Sequence, residues 1–530
     1  MKLTFFGAAR AVTGSCHCLE CGGRKYLIDC GLQQGRDETD NARLDFHPAM
    51  IDAVVVTHAH IDHSGRLPLL VKQGFRGRIH CTRLTARLLG IMLLDSAHIQ
   101  ESDANWTNQK GRRSGREPVE PLYTVADAQA VLKLLVPAEY GQKITLADGV
   151  ELEFADAGHL LGSAQAIFRL TEAGQNRTVV FSGDLGNVQQ PIIRDPQYID
   201  RADYVVTEST YGDRLHEKPK SYKEDLAAII DETMAKGGNV IIPAFAVGRT
   251  QELLYFLREI KEEGLVKSRP DFQVVVDSPL AREATQIFDG DLTGYLDEEA
   301  IEAIQKGKLF SFPGLTLTQT TDESKALNSD GGSRVILSAS GMCDAGRVRH
   351  HLKHNLWRSE CAVVFAGYQA EGSLGRRLLD GAQSVRLFGE DIAVRARICR
   401  IQGLSSHADQ AELLNWIGHF DPRPKQIFVV HGDAQVTESY ARLLRDRGFP
   451  AHAPDYEEVY DLLENRMLSP GLPPQVKEPA SRSSGSSAYR RLEGAGLRLM
   501  EVIRASKGRA NKDLAKFADQ ILMLIQKWEK

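Results

Sequence analysis

The 530-residue chain is poor in cysteine, has no long apolar run and carries little net charge. Each shortage removes a class of protein. Eight cysteines spread over this length are not the dense framework of a disulfide-stapled secreted domain. No stretch reaches the roughly 20 apolar residues of a membrane-spanning helix. The opening "MKLTFFGAARAVTG" lacks the apolar core of a signal peptide. The chain therefore reads as cytoplasmic, with no membrane partner. A formal charge of -5 gives no global basic field, so contact with nucleic acid has to be local. Cys16, Cys18 and Cys21, with His17 among them, look like half of a zinc knuckle. No second CxxC follows, and reduced thiols in or near a strand are the better reading.

The length calls for two or three domains. Residues 1–209 read mostly as short strands, among them "KLTFFG", "AVVVTH", "ELEFADAG" and "TVVFSGD", interrupted by helical text at 83–102. That pattern suggests sheet packed on sheet with helices outside. From 210 the rhythm changes. Long helical patterns alternate with buried strands ("NVIIPAF", "FQVVVDSP", "RVILSAS", "CAVVFAGY"), as in a parallel α/β sheet. At 391–468 strand-rich text returns, which would make 210–390 an insertion into the first domain. Residues 469–488 are a Pro/Ser/Gly linker, and 489–530 a helical tail. In that tail Leu514, Phe517, Ile521, Leu524 and Trp528 recur at spacings of three and four. This seam either docks on its own chain or joins copies of it.

The chemistry is concentrated in "VVVTHAHIDHSG", where His58, His60, Asp62 and His63 follow a buried strand. Packing does not explain such a cluster, because imidazoles cost desolvation unless they are paired or liganded. Imidazole nitrogen and carboxylate oxygen are the ligands that zinc and related divalent metals accept. His159, Asp184 and His431 repeat the punctuation, each beside glycine just past a strand. Asp29, in "YLIDCG", is placed to hold a ligand histidine's other ring nitrogen.

These residues resemble a known family. "HAHIDH" matches the HxHxDH signature of the metallo-β-lactamase fold, an αββα sandwich with a dinuclear metal site, and Asp29, His159 and Asp184 match its other early motifs in order. "TESTYG", "PAFAVGRTQELL", "DSPLA", "SASGM", "GYQAEGSLGR", "SSHAD" and "VHGD" resemble the β-CASP branch, in which a parallel α/β domain is inserted into that fold. Within that branch it resembles prokaryotic homologues of the cleavage-and-polyadenylation endonuclease subunit, over about residues 1–460. The resemblance implies that His58, His60 and His159 bind one zinc and that Asp62, His63 and His431 bind a second. Asp184 bridges them, and Asp62 counts among the catalytic residues. Manganese or iron would also suit these ligands. A histidine at 431 is the pattern of RNA-acting members.

On this reading the protein is a metal-dependent ribonuclease of single-stranded RNA, endonucleolytic, 5′→3′ exonucleolytic or both. His407, paired with Glu208, protonates the leaving oxygen. Ser340 and Gly341 in "SASGM", Gly372, Ser373 and Arg376 in "GYQAEGSLGR", and Ser405 and Ser406 in "SSHAD" are candidate donors to flanking phosphates. A hydrolase of a small ester or thioester is the alternative on this fold. An inactive RNA-binding scaffold would have lost metal ligands, and none is lost. His350, His351 and His354, in "RHHLKH", read as a solvated basic face. His17, His47, His80, His98, His216, His419 and His452 read as structural.

Overall fold

The structure is a computed structural model that describes residues 1–35, 38–112, 117–216, 222–288, 290–307, 309–401, 405–473 and 487–528. Two sheets face one another. In the first, the strands Arg466–Ser469, Val459–Asp461, Lys2–Gly7, Cys16–Cys21, Arg24–Ile28, Ala53–Val55, Arg78–Thr82 and Leu135–Ala138 are neighbours in that order. In the second the order is Ala451–His452, Gln426–Val429, Tyr204–Thr207, Gln175–Phe181, Ala164–Glu172, Val150–Asp156 and Ile144–Ala147. Successive side chains of a strand point to opposite faces. Val179 and Phe181 accordingly join Phe5, Tyr26, Val55, Phe154 and Phe428 between the sheets. Val180, between them, faces outward onto Trp416, Ile417 and Leu444. Helices Gln410–Gly418 and Ala434–Asp446 cover that outer face, and Leu67–Lys72 and Arg83–Arg112 cover the other. The result is the expected four-layer αββα sandwich. The helix Arg83–Arg112 is longer than the 83–102 expected from periodicity.

The insertion is visible in the pairing. Strand Tyr204–Thr207 lies parallel to Gln426–Val429 in one sheet, so the chain leaves the sandwich after the first and returns, through helix Gln410–Gly418 on the outer face, beside its point of exit. The inserted domain is a parallel sheet in the order Leu315–Leu317, Gln273–Val276, Arg334–Ser338, Val240–Pro243, Ala362–Phe365, Arg397–Arg400. Its last strand corrects the sequence boundary at 391: Arg397–Arg400 pairs with Ala362–Phe365 and completes the inserted sheet instead of rejoining the sandwich. Composition could not reveal this, because a strand's partner is a tertiary fact.

His351 is a second correction. It lies on the expected helix, Val348–Asn355, but is fully buried. Its Nε2 lies 2.7 Å from Asp277 Oδ2 and its Nδ1 2.9 Å from Asn328 Oδ1. His350 and His354 remain partly exposed, so the basic face is narrower than the run suggests. Cys16, Cys18 and Cys21 are buried free thiols in one strand, as expected.

Most of the Pro/Ser/Gly segment lies outside the described residues. Beyond it, helix Ser487–Ala505 lies against the sandwich, with Arg498 Nη2 2.9 Å from Asp52 Oδ1 and Gly494 beside Ala49. Helix Asn511–Trp528, which carries the seam, has no buried residue. Among the described residues no helix is long and apolar enough to cross a membrane.

Candidate metal centre and active site

The strand Ala53–Val55 ends in the tight segment Thr57–His63. Gly31 lies so close to this segment that a Cβ there would stand 1.5 Å from the carbonyl oxygen of Asp62. Gly186 presses equally closely on Gly158, beside His159, where a Cβ would meet the carbonyl oxygen at 1.6 Å. The glycines adjoining these histidines thus allow backbone layers to touch. Asp29 and His431 hold left-handed backbones, with φ of 61° and 51°. Asp and His tolerate that region better than most residues, and such conformations gather at functional sites.

The side chains converge on one edge of the sandwich. His58 Nε2 and His159 Nε2 lie 3.0 and 3.2 Å from His60 Nδ1. The same two Nε2 atoms are 3.5 and 3.6 Å from Asp184 Oδ2. Around the other carboxylate oxygen, His63 Nε2 and His431 Nε2 stand 3.2 and 3.6 Å from Asp184 Oδ1 and 3.0 Å from each other. Asp62 Oδ2 is 3.5 Å from His431 Nε2. Asp184 therefore presents one oxygen to each of two donor groups.

The rings are aimed from behind. His63 Nδ1 is 2.7 Å from Asp29 Oδ2, His159 Nδ1 is 2.9 Å from the Ser406 carbonyl, and His431 Nδ1 is 3.1 Å from Thr210 Oγ1. His58 Nδ1 is 3.2 Å from Thr57 Oγ1, which itself donates to Asp29. Donating from Nδ1 leaves the Nε2 lone pair facing inward. Burial, reinforced by neighbouring imidazoles, holds His58 and His159 well below the usual histidine range, so these rings present lone pairs at neutral pH. Burial opposes the charge on Asp184, but His431, His63 and His58 outweigh it and hold the carboxyl well below the usual range.

A divalent cation fits this arrangement. The donors are imidazole nitrogen and carboxylate oxygen, and Asp184 Oδ1 is buried without a hydrogen-bond partner. A buried carboxylate oxygen left unpaired is costly unless a cation satisfies it.

His407 stands at the rim. Its Nδ1 lies 3.2 Å from both Glu208 oxygens. Glu208 is buried and accepts the Leu185 backbone N–H at 2.6 Å. Burial alone would lower the His407 pKa; Glu208, then Asp184 and Asp62, raise it to about 9.

The expected phosphate donors divide. Gly341 and Gly372 lie in neighbouring loops, joined where Gln369 Nε2 donates to the Gly341 carbonyl at 3.0 Å. Ser340 precedes Gly341 in the same loop. Ser373 and Arg376 are engaged elsewhere. The serine hydroxyl caps the helix Leu374–Leu379, and Arg376 Nε pairs with Asp380 at 2.8 Å. Ser405 accepts the His407 backbone N–H, and the Ser406 carbonyl holds His159. These two serines orient the site's histidines.

Sequence reasoning missed Thr57 and Thr210, and gave His216 a structural role without placing it at this site. The His216 ring nitrogen lies 2.9 Å from the His407 carbonyl oxygen, so its structural role is to steady His407. Thr57 could have been noticed as the residue before His58. His216 carried no local signal.

The comparisons agree with this geometry. Residues 10–244 match the metallo-beta-lactamase superfamily, 250–378 the Beta-Casp domain, and 391–454 the Zn-dependent metallo-hydrolase RNA specificity domain. The chain is 39% identical to a protein named ribonuclease TTHA0252 of Thermus thermophilus, over 84% of this chain and 97% of that one. It is 31% identical to a transcription termination factor, FttA, of Methanosarcina mazei, over 82% and 67%. It is 28% identical to an RNase J-like protein of Methanocaldococcus jannaschii, over 83% and 94%.

Proposed function

Because the chain belongs to the β-CASP ribonuclease family of the metallo-β-lactamase superfamily, we propose that it hydrolyses single-stranded RNA at the edge of the sandwich, using two zinc ions. The observation that carries the reading is the split of Asp184, one oxygen to each donor group, beside the His407–Glu208 pair. His58, His60 and His159 would hold one cation; Asp62, His63 and His431 the other; Asp184 both. Manganese or iron would be accepted by the same donors. Cations there lower the pKa of water toward neutrality and offset the charge that builds on a phosphate under attack.

The chain's own groups do the rest. Asp29 fixes the ring of His63 through Nδ1. Glu208 accepts the Nδ1 proton of His407, which leaves Nε2 to carry a proton to the departing oxygen. A small ester needs neither this acid nor an inserted domain. A cytoplasmic location suits an RNA substrate.

The test is a single-stranded RNA labelled separately at its 5′ and 3′ ends, with matched DNA and a small thioester alongside. Shortening of the RNA, with DNA and thioester spared, is the expected result, and the two labels separate internal from terminal cutting. Thioester turnover with every RNA intact would replace this reading with the alternative.

The exposed seam of Asn511–Trp528 fits a second copy of this chain. Leu524 and Trp528 are 55% and 78% exposed on a helix that buries nothing, and identical seams at this spacing pair with each other. Light scattering on the full chain should give a dimer mass, and Ile521→Glu with Leu524→Glu should halve it. An unchanged mass would remove the seam from the contact.

A further inference from the structure

Phe245 and Tyr368 are exposed aromatics where burial would have been easy. In "PAFAVG", Ala244, Ala246 and Val247 all pack into the core, while Phe245 between them is 53% exposed. Tyr368 is 50% exposed. Both follow strands of the inserted sheet that are direct neighbours, Val240–Pro243 and Ala362–Phe365, at the same end. Other exposed rings on the inserted domain differ. Phe388 is covered by His350 at 4.3 Å, and Trp357 precedes its strand and so belongs to the opposite end. Among the described residues, neither the Phe245 ring nor the Tyr368 ring packs against another aromatic ring or lies under a cation.

Both loops abut the candidate metal centre. Gly248, in the Phe245 loop, is so placed that a Cβ on it would lie 3.1 Å from Leu160 Cδ1, next to His159. Tyr368 and Arg214 are electrostatic neighbours of Tyr211. The Tyr211 ring centroid is 6.1 Å from that of His407. The Phe245 ring also covers Gly341, in the loop after the strand's other neighbour, Arg334–Ser338, with ring atoms 3.3 and 3.4 Å from where a Cβ would stand. The two exposed rings thus sit on loops that reach Leu160, next to His159, and Tyr211, next to the proposed acid His407.

We propose that Phe245 and Tyr368 form a stacking shelf for the bases of single-stranded RNA, on the inserted-domain side of the cleft. This rests on the ribonuclease reading and adds where the bases lie. Stacking on a ring face requires a base free of its pairing partner and tolerates every base, so the shelf selects for single strands without reading sequence. It also supplies affinity that a chain of net charge -5 does not draw from a basic surface.

The test uses the full metal-loaded chain and two probes, an adenosine oligomer and an abasic ribose-phosphate oligomer of the same length. Phe245→Ala and Tyr368→Ala should each raise KM for the adenosine oligomer about tenfold, with kcat within about twofold. Anisotropy should show the same loss of binding. Phe245→Tyr and Tyr368→Phe should restore both, and binding of the abasic oligomer should not change. Unchanged KM in both alanine variants, or equal loss on the abasic probe, would overturn the shelf while wild-type cleavage left the ribonuclease reading intact. If wild type cuts no RNA, that reading fails first and the shelf with it.

Discussion

Asp184→Asn should abolish hydrolysis, with a fall on the order of 10³–10⁴-fold or more, and should cost the protein bound metal. The side chain is 2% exposed and divides its oxygens between two donor groups. An amide keeps the shape but loses the charge, and its NH₂ end offers no lone pair to one of the two groups. Metal content and turnover, measured on the same preparation, check this. Asp29→Asn is the comparison, because Asp29 stands behind the donors, against His63 Nδ1 and Thr57, and is itself in neither donor group. It should weaken metal binding about 10–100-fold and leave activity recoverable with added metal. An Asp184→Asn protein with full metal content and near-normal turnover would sink the bridging assignment.

His407→Ala should lower kcat about 10²–10⁴-fold with metal content unchanged, which separates proton transfer from metal binding. The pH profile gives a second readout. Burial works against protonated His407, but Glu208, Asp184 and Asp62 raise its pKa to about 9. A raised value keeps the acid form present through neutral pH and loses it as pH climbs. The alkaline limb of kcat should therefore report His407. Cations beside Asp184 and Asp62 repel the imidazolium, so the limb should fall below about 9 in the loaded enzyme. Glu208→Gln removes the principal raising charge and should move the limb further toward acid. Activity in His407→Ala equal to wild type at every pH would exclude the assigned role.

Much of the site was legible because metal chemistry leaves a local mark. Three histidines and an aspartate between 58 and 63, and single His or Asp residues just past other strands, point to ligands before any fold is known. The change from strand text to alternating strand and helix also marked the insertion. The less legible features depend on who meets whom. Ser373 is indistinguishable in sequence from a free phosphate donor, and only the helix beginning at Leu374 assigns its hydroxyl as a cap. His351 reads as one more exposed imidazole until Asp277, far away in the chain, is found against it.

The sequence by itself determined the candidate donor types, their positions at strand ends and a frame of sheet on sheet with helices outside and an inserted parallel sheet, which the motifs' resemblance to the metallo-β-lactamase fold made an αββα sandwich, because periodicity and ligand chemistry are written residue by residue. The tertiary structure decided that Asp184 faces both donor groups, that Arg397–Arg400 closes the inserted sheet, that Phe245 and Tyr368 stay uncovered beside the site, and that the last helix buries nothing. Each of these is a relation between segments distant in the chain, fixed by packing, which local pattern does not record.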